Sequence, residues 1–512
     1  SQSGVLDITG TTNITAGSND ITLDNASNDF TGAVAIVSGN NVNLRDTNAM
    51  VLDASTVSGN FALVTNGALT QTGALNITGT TNITAGSGND ITLGRSDNDF
   101  TGGVTVVSGG NTAIVDANAM TIAGISSTGT VSVDTLNDDL TVSGNVTTTN
   151  TTSGAIILNA GKDTAAGTAT GGNIILSGSP TISTGENGRV TLYTGSVSGS
   201  TGVTDHVGSG SGKFRYNSDE SASNYTTALG AGTFAIYREQ PTITVTASDD
   251  AVTYDSTAYS GGNGYTSSGY QNGDTNAILT GTVSYGGSSQ GAENAGSYAI
   301  TASNLANGLG YALSYADGTL TINKAAITVA TGNVSKTYDA TTNADGTAIL
   351  TAGSLYGTDT ISGGTFTFDN KNAGTNKTVT TSDVTVNDGN SGNNYTVTYA
   401  DNTSSTVTQK ALSISGSSAA DRVYDATTTA TITAGSLAGV IGGDTVTVSG
   451  TGIFDSKNVG TNKDVATTYA LAGTDGGNYS LAGETLQADI SQKALSISGS
   501  SAADRVYDAT TT

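Results

Sequence analysis

His206 is the single histidine in 512 residues, and cysteine is absent. A Ser-His-Asp arrangement or a histidine-metal centre needs that ring to have partners. Asp205 adjoins it, but no nucleophile elbow accompanies the pair, so His206 reads as a solvated loop residue. Without cysteine there is neither thiol catalysis nor a thiolate metal site. Paired carboxylates are the next candidates, because sugar polymers are cleaved by two acids held at a set distance. Asp29 and Asp99 occupy the same place in a repeated NDFTG. A catalytic pair is unique in a chain, whereas an acid copied with its repeat reads as a turn former bonding its own backbone. Clustered Asn and Asp, at Asn19-Asp20, Asn89-Asp90, Asn137-Asp138-Asp139 and Asp249-Asp250, offer oxygen ligands of the kind calcium takes. The GGxGxDxUx nonapeptide of calcium-binding β-rolls is absent, so solvated turns are the plainer reading.

Three Tyr-Asp pairs, Tyr254-Asp255, Tyr338-Asp339 and Tyr424-Asp425, could form ligand sites. The plainer expectation is a tyrosine plugging a small core with its hydroxyl bonded, and an aspartate starting a turn. The runs Lys371 to Gly374 and Lys457 to Gly460 read as hairpin tips with glycine at positive φ. No phosphate-binding fingerprint opens a strand-to-helix turn, and 70 glycines make chance matches uninformative. No catalytic, cofactor-binding or metal residue is therefore assigned. No cofactor is expected, with calcium the one ion the oxygen clusters could serve.

The elements that would carry these residues are short strands. Alternating apolar pairs such as Leu6-Ile8, Ile21-Leu23, Val34-Ile36 and Val42-Leu44 are separated by Asn, Asp, Gly and Ser. No 3.6-residue period is sustained, so helix should be nearly absent. LDITGTTNITAGSNDITL, from Leu6, returns as LNITGTTNITAGSGNDITL, from Leu75. Phe30 and Phe100, and Met50 and Met120, are 70 apart; Ile8 and Ile77 are 69 apart, the inserted Gly88 making up the difference. Strands this short are not stable as hairpins, but stacked coils let each pair above and below. Coils of about 20 residues rising roughly 4.8 Å each predict about 10 coils and a shaft of roughly 50 Å before His206. Asn and Gly suit the corners because they tolerate left-handed backbone.

Aromatic and charged residues appear together over 205–240, in GKFRYNSDESASNYTTALGAGTFAIYREQP. A solenoid end exposes unpaired strands, so this segment reads as its cap, with Pro241 stopping the stack. A second repeat follows. Tyr338 and Tyr424, and Phe368 and Phe454, are both 86 apart. Modules of about 85 residues with some seven alternating strands read as β-sandwiches. At the junctions TLTINKAAITV, STVTQKALSIS and ADISQKALSIS, equivalent lysines (Lys324, Lys410, Lys493) sit in an unbroken alternating pattern with no linker. That predicts little hinge freedom and a semi-rigid rod.

The predicted fold is all-β: a right-handed parallel β-solenoid shaft (1–204), a cap and junction (205–240), and Ig-like β-sandwiches at 241–325, 326–411 and 412–494. Residues 495–512 are the start of another module that cannot bury a core alone. The net charge of −25 disfavours nucleic acid and anionic membrane as partners. No apolar run of 18 residues exists to span a bilayer. No signal peptide opens the chain, and it is read as a fragment of a longer protein.

These residues also resemble known families. The Gly/Asn-rich coils, with FRYNSDE (from Phe214) and FAIYREQ (from Phe234) closing them, resemble the shaft of filamentous-haemagglutinin-like adhesins exported by two-partner secretion. TYDST, ENAGSYAI and YADGTLTI within 241–325 resemble the MBG module, and 326–411 and 412–494 resemble the YDG module. The residues themselves predict a non-catalytic chain, and the resemblance implies a secreted protein of the cell surface or extracellular matrix. It implies attachment, cell aggregation or biofilm cohesion, with extracellular polysaccharide or a host or neighbouring cell surface as partner and an outer-membrane transporter during export. The rival readings are a polysaccharide-cleaving solenoid and an ice-binding solenoid, the latter requiring a flat ladder of threonines.

Overall fold

The computed structural model describes residues 1–511. From Asp7–Ile8 to Gly232–Tyr237 the short strands stack in parallel ladders, most of them hydrogen-bonded to one in the coil before and one in the coil after. One sheet has 11 strands, from Thr12–Thr15 through Met50–Leu52, Ile91–Leu93 and Val131–Thr135 to Gly232–Tyr237 and Phe214–Arg215. Another has 10, beginning Ile21–Leu23, Val42–Arg45, Phe61–Val64, Thr81–Thr84. A third, shorter sheet joins Ser55–Val57, Leu75–Ile77 and Asp99–Phe100. This is a parallel β-solenoid, the arrangement that satisfies strands of three to five residues without hairpins.

Register fixes what faces inward. Leu23, Leu44, Leu63, Ile83 and Val106 are successive partners in one inward row, half-buried at Leu23 in the first coil and fully buried from Leu44 on. Their outward neighbours are Thr22, Asn43, Ala62, Asn82 and Thr105. That outer row mixes residue types, so it is not the uniform threonine ladder an ice-binding face requires.

The 70-residue repeat is not a whole number of coils. Three coils carry the chain from Ile21 to Thr81 by direct pairing, but ITL returns only at Ile91. The two copies of TNIT therefore lie in different sheets, Thr12–Thr15 in the 11-stranded one and Thr81–Thr84 in the 10-stranded one. The two copies of ITL exchange sheets in the same way.

Some turns have the left-handed glycine expected, as at Gly17, Gly86 and Gly88, but other corners are built differently. Gly79 and Gly102 do not need positive φ; they need to lack a side chain. A Cβ on Gly102 would lie 2.2 Å from the Gly79 carbonyl oxygen, and one on Gly79 would lie 2.4 Å from Gly59. Corner asparagines serve as acceptors: Asn41 Oδ1 takes the Asn60 N–H at 3.0 Å, and Asn60 Oδ1 takes the Thr80 N–H at 2.9 Å.

The shaft ends in two buried arginines. Arg215 and Arg238 are 1 % and 0 % exposed. Neither guanidinium has a carboxylate partner within salt-bridge reach among the described residues; backbone carbonyls take donors of both instead, although Arg238 Nε is left without a partner. Arg215 reaches Phe214, Gly212 and Thr227, and Arg238 reaches Ala160 at 2.6 Å and Gly172 at 2.7 Å. Burial holds both guanidinium pKa values below the ordinary one.

The chain divides into two compact units. The first comprises Ser1–Asp250, Ser260–Gln290 and Tyr298–Leu320, and the second Ala251–Tyr259, Gly291–Ser297 and Thr321–Thr512. After Pro241 the first unit leaves the ladder: Thr242–Ala247 lies between Tyr265–Ser268, antiparallel, and Ala312–Ala316, parallel. In the second unit, Ala325–Thr331 pairs Ala348–Ala352 and Tyr395–Tyr399, beside a four-stranded sheet holding Thr360–Phe368 and Gly374–Asn387. The pattern recurs from Lys410–Ser415 onward, with Thr447–Phe454 and Gly460–Ala472 as the long pair. These are β-sandwich-like sheets. Asn402–Thr408 runs into Lys410–Ser415 with only Gln409 between them. Residues 492–511 form no strand, and Leu495 is 90 % exposed.

Candidate functional site: shared aspartates between modules

The residues expected to do chemistry are dispersed. His206 sits on a one-turn helix, Val203–Val207, and not in a solvated loop; it is half-buried, and burial lowers its pKa. Asp29 and Asp99 lie in two-residue strands and not in turns. Their nearby bonds are to the Thr31 and Thr101 hydroxyls. The oxygen clusters serve the ladder. Asp20 accepts the Asn41 N–H at 3.0 Å, Asp90 the Asn111 N–H at 2.8 Å and Asp139 the Asn173 N–H at 2.8 Å, while Asp249 accepts the Thr319 N–H at 2.7 Å. Among the described residues no group of three or more His, Cys, Asp or Glu converges as a metal site.

The sequence reading missed a different pair of acids. Asp46 and Asp116, 70 apart, are both 0 % exposed inside the shaft. Each accepts the N–H of the repeat phenylalanine, Phe30 or Phe100. Burial raises both pKa values, that of Asp116 to about 6. A folded-state pKa above the unfolded one means the native shaft holds the proton more tightly. The stabilisation is complete below the ordinary carboxylate value and is lost as pH rises through about 6. Asp116 alone should then be worth about 3 kcal/mol once pH is below the ordinary carboxylate value, and roughly half of that at pH 5. Calorimetry is expected to show the shaft melting at higher temperature at pH 5 than at pH 7, and an Asp46→Asn/Asp116→Asn variant to lack that rise. An equal rise in the variant would overturn the assignment.

The constellation that does recur joins modules. Tyr254 and Tyr338 are buried, as expected of core plugs, but their hydroxyls leave their own module. Tyr254 donates to Asp359 at 2.8 Å, and Tyr395 donates to the same carboxylate oxygen at 2.7 Å. Tyr338 donates to Asp444 at 2.9 Å, and Tyr479 donates there at 2.6 Å. The two rings of each pair meet edge-on, 5.3 and 5.4 Å between centroids. Backbone bonds flank each pair: Asn394 Oδ1 accepts the Ala295 N–H and Asn478 Oδ1 the Ala373 N–H, both at 2.8 Å. Within the first unit the cap repeats the scheme, with Tyr216 and Tyr311 both donating to Asp274, at 3.2 and 2.8 Å.

The electrostatics differ from clasp to clasp. Burial raises the Asp274 carboxyl, whereas Asp444 is held below the ordinary range, first by the Tyr479 hydroxyl and also by Tyr338 and Lys371. Lys371 Nζ lies 3.2 Å from Asp444 and 3.5 Å from Asp475. Each Tyr-Asp turn has its aspartate where expected: Asp255, Asp339 and Asp425 accept the N–H of Thr257, Thr341 and Thr427. The residue between is at positive φ, Ser256, Ala340 and Ala426. The Lys-Asn-x-Gly runs do link antiparallel strands, but Gly374 and Gly460 begin the following strand. The positive φ falls on Asn376 and Asn462.

This spacing of tyrosine, acceptor and tyrosine recurs in the two successive sandwiches of this chain. Residues 323–404 and 408–487 each match the YDG domain. Residues 243–321 match the MBG domain (YGX type), and residues 1–37 and 39–107 match repeats of unknown function (DUF5649). No curated protein matches the chain. The MBG and YDG domains fit an adhesin-like repeat protein. In the YDG modules the acceptor always precedes threonine: Asp359-Thr360 and Asp444-Thr445, with Asp274-Thr275 at the same interval before them. That recurrence was available in the sequence, but nothing there connects it to a tyrosine about 105 residues earlier.

Proposed function

We propose that this chain is the stalk region of a large secreted bacterial adhesin, acting by mechanical projection and cohesion and without catalysis. The observation that carries the reading is the shared aspartate between successive modules, together with a continuous core. Tyr338, Phe366, Phe368 and Val379 of one YDG module form a single buried cluster with Leu412 and Tyr479 of the next. Such construction resists pulling along the chain, because separating two modules exposes apolar surface and takes the Tyr338 hydroxyl from its acceptor at the same time.

The stalk serves attachment, cell aggregation or matrix cohesion at the cell surface or in the extracellular matrix. Polysaccharide is the proposed partner, met by exposed Thr, Asn and Ser, with export by two-partner secretion through an outer-membrane transporter. The acidic charge keeps neighbouring stalks apart at low salt. The test deletes this region from the parent protein. Cell aggregation is expected to fall and glycan-array binding to weaken. Unchanged aggregation, or uronate-polymer cleavage by the chain itself, would overturn the reading.

A further inference from the structure

We propose that the Tyr424 end of the second YDG module is a docking socket for a further YDG-type module, engaged as Tyr338 engages Asp444. Tyr424 stands where Tyr338 stands in its own module. In the preceding module that tyrosine lies beside Asn372 and Ala373, both bonded to Asn478 of its neighbour, at 3.2 and 2.8 Å. The counterparts Asn458 and Val459 border an open hollow with Tyr424, Gln492, Lys493 and Leu495. No hydrogen bond from the Tyr424 hydroxyl occurs among the described residues. Val459 is 46 % exposed, and Leu495 is 90 % exposed where its counterpart Leu412 is 8 %.

The hydrophobic clusters make the same point independently. The cluster around Tyr338 draws Leu412, Leu437, Val446, Leu471 and Tyr479 from the following module. The cluster that Tyr424 packs against contains only residues of its own module, among them Phe454, Val465 and Ile490. The second module is therefore built with a half-core and a donor hydroxyl that its predecessor completes with a neighbour.

The occupant must supply an aspartate paired with a tyrosine, an asparagine side-chain carbonyl for the Val459 N–H, and a leucine-bearing first strand. A YDG-type module has all of these. Residues 492–511 repeat 409–428 residue for residue, so they carry the sequence of that module's first strand. A second copy of this chain fits poorly, because its own acceptors Asp274, Asp359 and Asp444 are each engaged within the molecule.

The experiment lengthens the chain by a copy of residues 430–491, completing the module begun at Lys493. Hydrogen exchange is read at Asn458 and Val459. The Val459 amide is expected to slow by at least about tenfold on extension. Tyr424→Phe should leave the original chain's melting unchanged and lower that of the extended chain. In a second extended variant the appended copy of Asp444 is changed to Asn, which keeps the fold and should restore part of the fast exchange. Unaltered exchange at Val459 in the extended chain, or a Tyr424→Phe effect of equal size in both lengths, would overturn the proposal. Concentration-dependent pairing of the original chain, abolished by Tyr424→Phe, would also overturn it, in favour of a second copy as occupant.

Discussion

Arg238→Ala is expected to destabilise the closing coils of the shaft by about 2–4 kcal/mol, the largest effect of any single substitution there. The side chain is fully buried, and its fork ties three separate stretches of backbone together. One nitrogen donates to Ala160, at the end of the strand Ile156–Ala160, and the other to Gly172, beyond the connection after that strand. Its own N–H and carbonyl pair Thr194 and Gly167. Alanine removes a charge that cost desolvation, but it leaves the Ala160 and Gly172 carbonyls without their donor in a dry interior. Arg238→Lys is expected to recover only part of the loss, because an ammonium cannot present two fixed parallel donors. Amide exchange over Ile156–Ala160 and Arg189–Thr194 should accelerate by roughly thirtyfold to a thousandfold in the alanine variant. Exchange indistinguishable from wild type would mean that the carbonyls find other donors and that the guanidinium is incidental.

Asp444→Ala is expected to uncouple the two YDG modules. The carboxylate takes the hydroxyls of Tyr338 and Tyr479 and lies 3.2 Å from Lys371, with its side chain 4 % exposed. Tyr338 and Lys371 belong to the preceding module and Tyr479 to that of Asp444, so losing the acceptor should cost about 1–3 kcal/mol of coupling, with the loss at Tyr479 falling on the second module itself. Under force, or in calorimetry of the whole chain, the two modules should unfold together in the wild type and as two separate events in the variant. Tyr338→Phe removes one donor and keeps the packing, so its expected cost is nearer 1 kcal/mol. Persistence of a single joint event in Asp444→Ala would show that the shared apolar cluster suffices. The coupling also has a defined pH response. Because the Asp444 pKa is depressed by the Tyr479 hydroxyl, its contribution is present above the ordinary carboxylate value and fails only as pH falls through the lowered one. Acid therefore acts in opposite senses on the two kinds of buried aspartate: it stabilises the shaft around Asp116 and eventually loosens the clasp at Asp444.

The alternation of Ile21-Leu23 and Val42-Leu44, the turn residues between them and the recurrence of YDATT were enough to determine an all-β chain of stacked coils followed by sandwich modules. Period-two patterning and repeat length are local properties of the chain, and they dictate which residues must be buried. The position of each repeat around the shaft was not local. Two identical TNIT segments lie in different sheets because coil length is set by how each corner packs on the one below, and that sum does not divide 70. The roles of the acids followed the same division. Asp29 is conspicuous in sequence yet only half-buried, while Asp46, in LRDTN, is the sealed one, since burial depends on the coils above and below. The meeting of Tyr338 with Asp444 was decided only by the tertiary structure. A hydroxyl and a carboxylate 106 residues apart are brought together by the docking of two folded surfaces, which no local pattern encodes.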